Sequence, residues 1–83
     1  MLGMIPEFWL DEANDVVRQV NGYTAVEYHF ASLNDAKKAK KIMFDYVDKW
    51  SRKKNKTPLY PETLVKECLK KGISVLHVQA GMR

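Results

Sequence analysis

Apolar residues recur along this chain with two different periods. From Ala36 to Trp50 the period is helical. Ala36, Ala39, Met43, Tyr46, Val47 and Trp50 form one stripe with Ile42 at its edge, and Lys37, Lys38, Lys41, Asp45, Asp48, Lys49 and Arg52 fall opposite. Ser32 suits the N-cap, and Asp35 stands three residues on, at the position of a capping-box acid. This helix is predicted to end within residues 51–55, in a polar and basic connector. Pro58 and Pro61 mark a turn, and Pro61 suits the first position of a further helix, where a missing N–H costs nothing. Leu64, Val65, Cys68 and Leu69 give that helix its apolar face. Lys70 and Lys71 fill its last turn and Gly72 caps it.

Elsewhere the period is two. Residues 23–30 split into Thr24, Val26, Tyr28 and Phe30 on one side and Tyr23, Ala25, Glu27 and His29 on the other, a strand with the first set toward the core. Residues 73–79 read as a second strand with Ile73, Val75, Leu76 and Val78 as its apolar positions, and residues 80–83 as a frayed end. Residues 6–20 fit two patterns. Pro6, the early acids Glu7, Asp11 and Glu12, and the recurrence Trp9, Ala13, Val16, Val17, Val20 describe a helix capped by Asn21-Gly22. Asn21-Gly22 is equally a two-residue hairpin turn, joining residues 15–20 to 23–28 with Val17 opposite Val26. The expected fold is therefore α+β, in one small domain over residues 1–83. A two- or three-stranded sheet is packed by about three helices, in the order α-(β)-β-α-α-β.

Composition agrees with a folded chain: 83 residues, 46% hydrophobic and 29% charged. So short a chain buries only about 60–65% of its unfolded surface, which favours modest stability and leaves room for self-association. The lone Cys68 permits no internal disulfide. No basic leader or spanning-length apolar window is visible, so a cytoplasmic protein without a membrane role is expected.

Charge adds the one pointer to a partner. Residues 1–35, 37–56 and 57–83 carry net −5, +7 and +2, giving the +4 of the whole chain. Long-range fields of this kind steer encounters. Lys37, Lys38, Lys41, Arg52, Lys53, Lys54 and Lys56 are the candidate phosphate contacts of a nucleic-acid-binding accessory protein, a sequence-independent and salt-sensitive mode. The same run is also a solvated helix face. Asp45–Lys49 and Asp48–Arg52 are favourable i,i+4 pairs, Lys41 and Asp45 are also four apart, and no recognised nucleic-acid motif accompanies them.

Catalytic signals are weak. Cys68 lies on an apolar helix face, and His29 and His77 lack local ligand spacing, so no metal or cofactor is expected. There is no phosphate-binding glycine loop and no nucleophile elbow. The consecutive Phe8, Trp9 and Leu10 fit no single helix face, and exposed aromatics often anchor interfaces. The expectation is a non-enzymatic regulatory or adaptor module. It would act through protein–protein contacts, self-association included, with Phe8, Trp9 and Leu10 as anchors and nucleic acid binding as the alternative.

Overall fold

The computed structural model describes residues 5–54 and 58–82. Lys56 of the basic run and the termini at residues 1–4 and 83 lie outside them. The element order is β1 (Glu7–Asp11), β2 (Val16–Asn21), β3 (Thr24–His29), α1 (Leu33–Ser51), α2 (Pro61–Lys70) and β4 (His77–Met82). All neighbouring strands are antiparallel, in the spatial order β1-β2-β3-β4. Two helices lie on one face of the sheet, and α1 covers β1 and β2.

This corrects the expected two or three strands and about three helices: the described residues form four strands and two helices. The predicted first helix is absent. Residues 7–11 alternate Glu7, Phe8, Trp9, Leu10, Asp11, so a strand sends Phe8 and Leu10 to one face and the other three to the opposite one. A helix offers no such separation. The loop at residues 12–15 closes the first hairpin. Asp15 takes a left-handed φ of 57°, a conformation that Asp tolerates better than most side chains. Its carbonyl accepts from Phe30 N–H at 3.1 Å, tying this loop to the end of β3.

The second hairpin forms, but its turn lies one residue beyond Asn21-Gly22, which shifts the strand register by two residues. Asn21 pairs with Thr24, Val17 with Tyr28 and Arg18 with Glu27. The loop residues are thus Gly22 and Tyr23. Gly22 alone of the two has positive φ, at 58°, the pattern of a type II′ turn with glycine first. β4 begins at His77 and runs through residue 82, so the tail expected to fray is instead the outer half of an edge strand.

The predicted core stripe of the long helix is where packing occurs. Ala36, Ala39, Met43 and Val47 are buried with Val17, Tyr28, Phe30, Leu64, Cys68 and Ile73. Full burial of a side chain the size of Met43 or Leu64 contributes about 1.5–3 kcal/mol. Ser32 Oγ accepts from Asp35 N–H at 3.1 Å and caps α1. α2 ends in a Schellman motif: Ile73 N–H reaches the Cys68 carbonyl at 2.9 Å and Gly72 N–H that of Leu69 at 3.0 Å. Gly72, at φ 84°, supplies the left-handed turn. Gln19 is the one described polar side chain among the buried set, and Tyr28 donates its hydroxyl hydrogen to Gln19 Oε1.

Candidate functional site

The strand pairings define what the helix-free face of the sheet presents. One cross-strand row reads Trp9, Arg18, Glu27, Gln79, and the next reads Asp11, Val16, His29, His77, of which Val16 is buried. Arg18 sits between acids. Its Nε and Nη2 donate to Glu27 Oε2 at 3.0 and 2.9 Å, and Nη2 stands 3.8 Å from Asp11 Oδ2. The Arg18 hydrogen bonds hold the Glu27 carboxyl below its ordinary range. Asp11 is likewise lowered, first by a 3.0 Å hydrogen bond from Asn14 Nδ2 and further by the charge of Arg18. Glu27 Oε1 also lies 3.4 Å from His29 Nε2, and the His29 and His77 rings stand 5.4 Å apart at 60°. This face is a polar network with an aromatic at its β1 side.

That aromatic is Trp9, 56% exposed. Phe8 and Leu10 point through the sheet and pack, partly buried, against the core. The three consecutive anchor candidates therefore do not form one patch. Ile5 and Tyr23 are also exposed on this half of the molecule.

The helix layer carries the opposite charge. Its described residues, 32–54 and 58–72, sum to +6, whereas the sheet strands and their loops, 5–31 and 73–82, sum to −4. Folding thus turns a charge difference along the chain into one between two layers. Lys37, Lys38, Lys41, Arg52, Lys53 and Lys54 are all exposed, as a phosphate-binding or a merely solvated face requires. Lys41 pairs with Asp45 at 3.5 Å and Arg52 with Asp48 at 3.1 Å, which dilutes the patch along α1.

Two open grooves flank this helix. One, of about 640 Å³, runs between α1 and the start of β1 and is lined by Phe8, Lys37, Lys40, Lys41 and Phe44 among others. The second, of about 530 Å³, includes Lys38, Lys41, Ile42, Lys71 and Ile73. Phe44 is 58% exposed in the midst of lysines and was not singled out by periodicity. The signal was the run Ile42-Met43-Phe44, three apolar residues that span more arc than one stripe buries.

Cys68 lies wholly in the core, where burial pushes its thiol up to about 11. It meets neither histidine's row, and neither groove contains a histidine. Among the described residues no group of three His, Cys, Asp or Glu is placed to hold a metal ion. No helix there is long and apolar enough to cross a membrane. Comparison of the chain with protein-family models, curated proteins and solved structures returned no match.

Proposed function

We propose that this chain is a non-enzymatic adaptor or regulatory module that works through protein–protein contacts, with the helix-free sheet face as its contact surface. The observation that supports this is Trp9, a large aromatic left more than half exposed on an open face beside the charged row Arg18–Glu27. Aromatic and arginine side chains are the commonest energetic anchors of interfaces. The acidic sheet layer orients the approach of a basic partner surface, acting on encounter rate more than on final affinity.

The test compares tagged wild type with Trp9→Ala and with a helix-layer variant, Lys37→Ala/Lys38→Ala/Lys41→Ala, in native co-purification. A partner kept by the lysine variant and lost by Trp9→Ala, at unchanged circular dichroism, supports the reading. A partner set indifferent to Trp9 overturns it.

The second reading, a nucleic-acid-binding accessory role, is favoured by the +6 helix layer and by Phe44 exposed among Lys37, Lys40 and Lys41. Aromatics set in a basic groove stack bases without sequence preference. Under the first reading, a mobility shift at low salt with mixed DNA and RNA shows only weak binding. Tight binding with a steep loss on added salt reverses the ranking.

A further inference from the structure

The two edges of this sheet are built differently. β1 has Pro6 before it and carries Glu7 and Asp11, charges of the kind that discourage a further strand. β4 has no such guard. From Ile73 through residue 82 there is no Lys, Arg, Asp, Glu or Pro, and the pairing to β3 runs from His29↔His77 to Thr24↔Met82 without a bulge. Residues 77–81 are all exposed. Val78 and Ala80 lie opposite Tyr28 and Val26, so they share the helix side of the sheet. The long helix covers β1 and β2 instead, leaving Val78 36% and the preceding Leu76 64% exposed. Among the described residues, an open backbone edge thus adjoins an uncovered apolar strip.

From this we infer that β4 is the interface for a second copy of the same chain, paired antiparallel across a two-fold axis perpendicular to the sheet. Side-chain parity constrains the register. For both helix layers to stay on one side, paired residues must belong to the same face, so the axis passes through a residue and not between two. Centred on Gln79, in the middle of the strand, it sets Val78 against Ala80 and His77 against Gly81. Apolar meets apolar beneath the sheet, and a ring meets a small residue above it. This is the self-complementarity that an isologous contact requires. No like charges are opposed, because β4 holds none. A foreign peptide is a poorer fit, since strand addition draws its specificity from side-chain pockets, and the recess beside β4 measures only about 110 Å³. In this register residues 77–81 of each copy pair, a contact of five residues or about 17 Å. Its area falls at the small end of specific interfaces, which sets the expected dissociation constant at roughly 10–100 μM.

Sedimentation equilibrium from about 1 to 500 μM brackets that range. A monomer–dimer fit without larger species is expected. Gln79 is exposed on the helix-free face, so neither Gln79→Lys nor Gln79→Glu disturbs the core. Within the monomer the first places a countercharge and the second a like charge opposite Glu27, so unchanged circular dichroism is checked for both. Across the axis each variant opposes two like charges. Each is expected to weaken dimerisation at least ~10-fold, and an equal mixture of the two to restore it as a heterodimer. Added salt of about 0.5 M is expected to leave wild-type pairing unchanged or tighter, because the like-charged layers of the two copies then repel less. A strict monomer across the range overturns the inference. Association indifferent to both Gln79 variants overturns it as well, and if that association also weakens with salt, the acidic sheet face of one copy stacks on the basic helix layer of the next. Trp9→Ala lies on the far edge strand and leaves this dimer intact, so loss of the partner contact and loss of the dimer are separately readable.

Discussion

The pairing of β2 with β3 decides which side chains stand beside one another on each face, and one buried contact tests it. Gln19 and Tyr28 are diagonal neighbours on the core side: Gln19 is opposite Val26, and Tyr28 is two residues further along the same strand. Both are essentially inaccessible, at 3% and 0% exposure. Tyr28→Phe removes the donor and leaves Gln19 Oε1 buried without it. Gln19→Met keeps the volume and strands the Tyr28 hydroxyl. Each single change is expected to cost about 1–3 kcal/mol, the penalty for an unsatisfied buried polar group. The double variant removes both halves and is expected to cost less than the sum, with an interaction energy of about 1–3 kcal/mol. In urea unfolding, with a slope near 1 kcal/mol/M for a chain this small, the single variants shift the midpoint by roughly 1 M or more. Had the turn been centred on Asn21-Gly22, Gln19 would lie opposite Thr24, four residues or about 13 Å along the strand from Tyr28. Strict additivity of the two single variants would therefore refute this register, and with it the row Trp9, Arg18, Glu27.

Three further outcomes are expected. Gly72→Ala loses about 1–2 kcal/mol, because a Cβ there meets no atom within 4 Å but the residue sits at φ 84°; Gly72→Asn recovers part of this, and a neutral alanine variant in thermal unfolding contradicts the Schellman cap. The native Cys68 thiol resists an aromatic disulfide reagent near pH 8 and reacts fully once unfolded, whereas rapid native labelling contradicts its core position. Glu27 and Asp11 have lowered carboxyl pKa values, so the folded state binds fewer protons than the unfolded one. Their contribution is complete above the ordinary carboxylate range and is lost as pH falls through the lowered values; the urea midpoint should drop below about pH 5, less steeply in Glu27→Gln.

The helices were legible because their signals are local. The Ser32 cap, Pro61 at the first turn, Gly72 after the last and a continuous stripe from Ala36 to Trp50 all act within a few residues. β3 was legible for the same reason, from the alternation around Val26 and Tyr28. Residues 7–20 were not. Val16, Val17 and Val20 satisfy either period, and only pairing of Leu10 with Val17 and of Val17 with Tyr28 decides between them. That is a tertiary choice, and it overrode the helix-start pattern of Pro6 and the early acids. The end of the chain was hidden likewise: Ala80 and Gly81 have little strand propensity, and their partners Val26 and Ala25 lie more than fifty residues earlier. Of the candidate surface, the lysines and Trp9 could be named from sequence. Which layer each would occupy could not, because that depends on register.

The two proposed surfaces are compatible in one assembly, and their geometry has a consequence. Pairing through β4 about a perpendicular axis gives an eight-stranded sheet whose helix-free faces lie on the same side. Trp9 is on β1, the strand furthest from the new interface. The two copies of Trp9 are then seven strand spacings apart, about 34 Å, on one continuous acidic face. The dimer is bivalent, so a partner with two sites at that span binds the second without a further loss of translational freedom, and its apparent affinity exceeds that for one site by up to ~10²–10⁴. A partner with a single site gains nothing. Gln79 shares the helix-free face with Trp9 but lies three strand spacings away, about 14 Å. The mixture of Gln79→Lys and Gln79→Glu, which re-forms the dimer with both substitutions present, is therefore the control. Capture of a two-site partner should fall in each variant alone and return in the mixture, while a one-site partner does not follow the dimer. Trp9→Ala abolishes both. If Gln79→Lys and Trp9→Ala proved equivalent for every partner captured, the sheet face and the β4 edge would not be separate surfaces, and the division of work between them would fail.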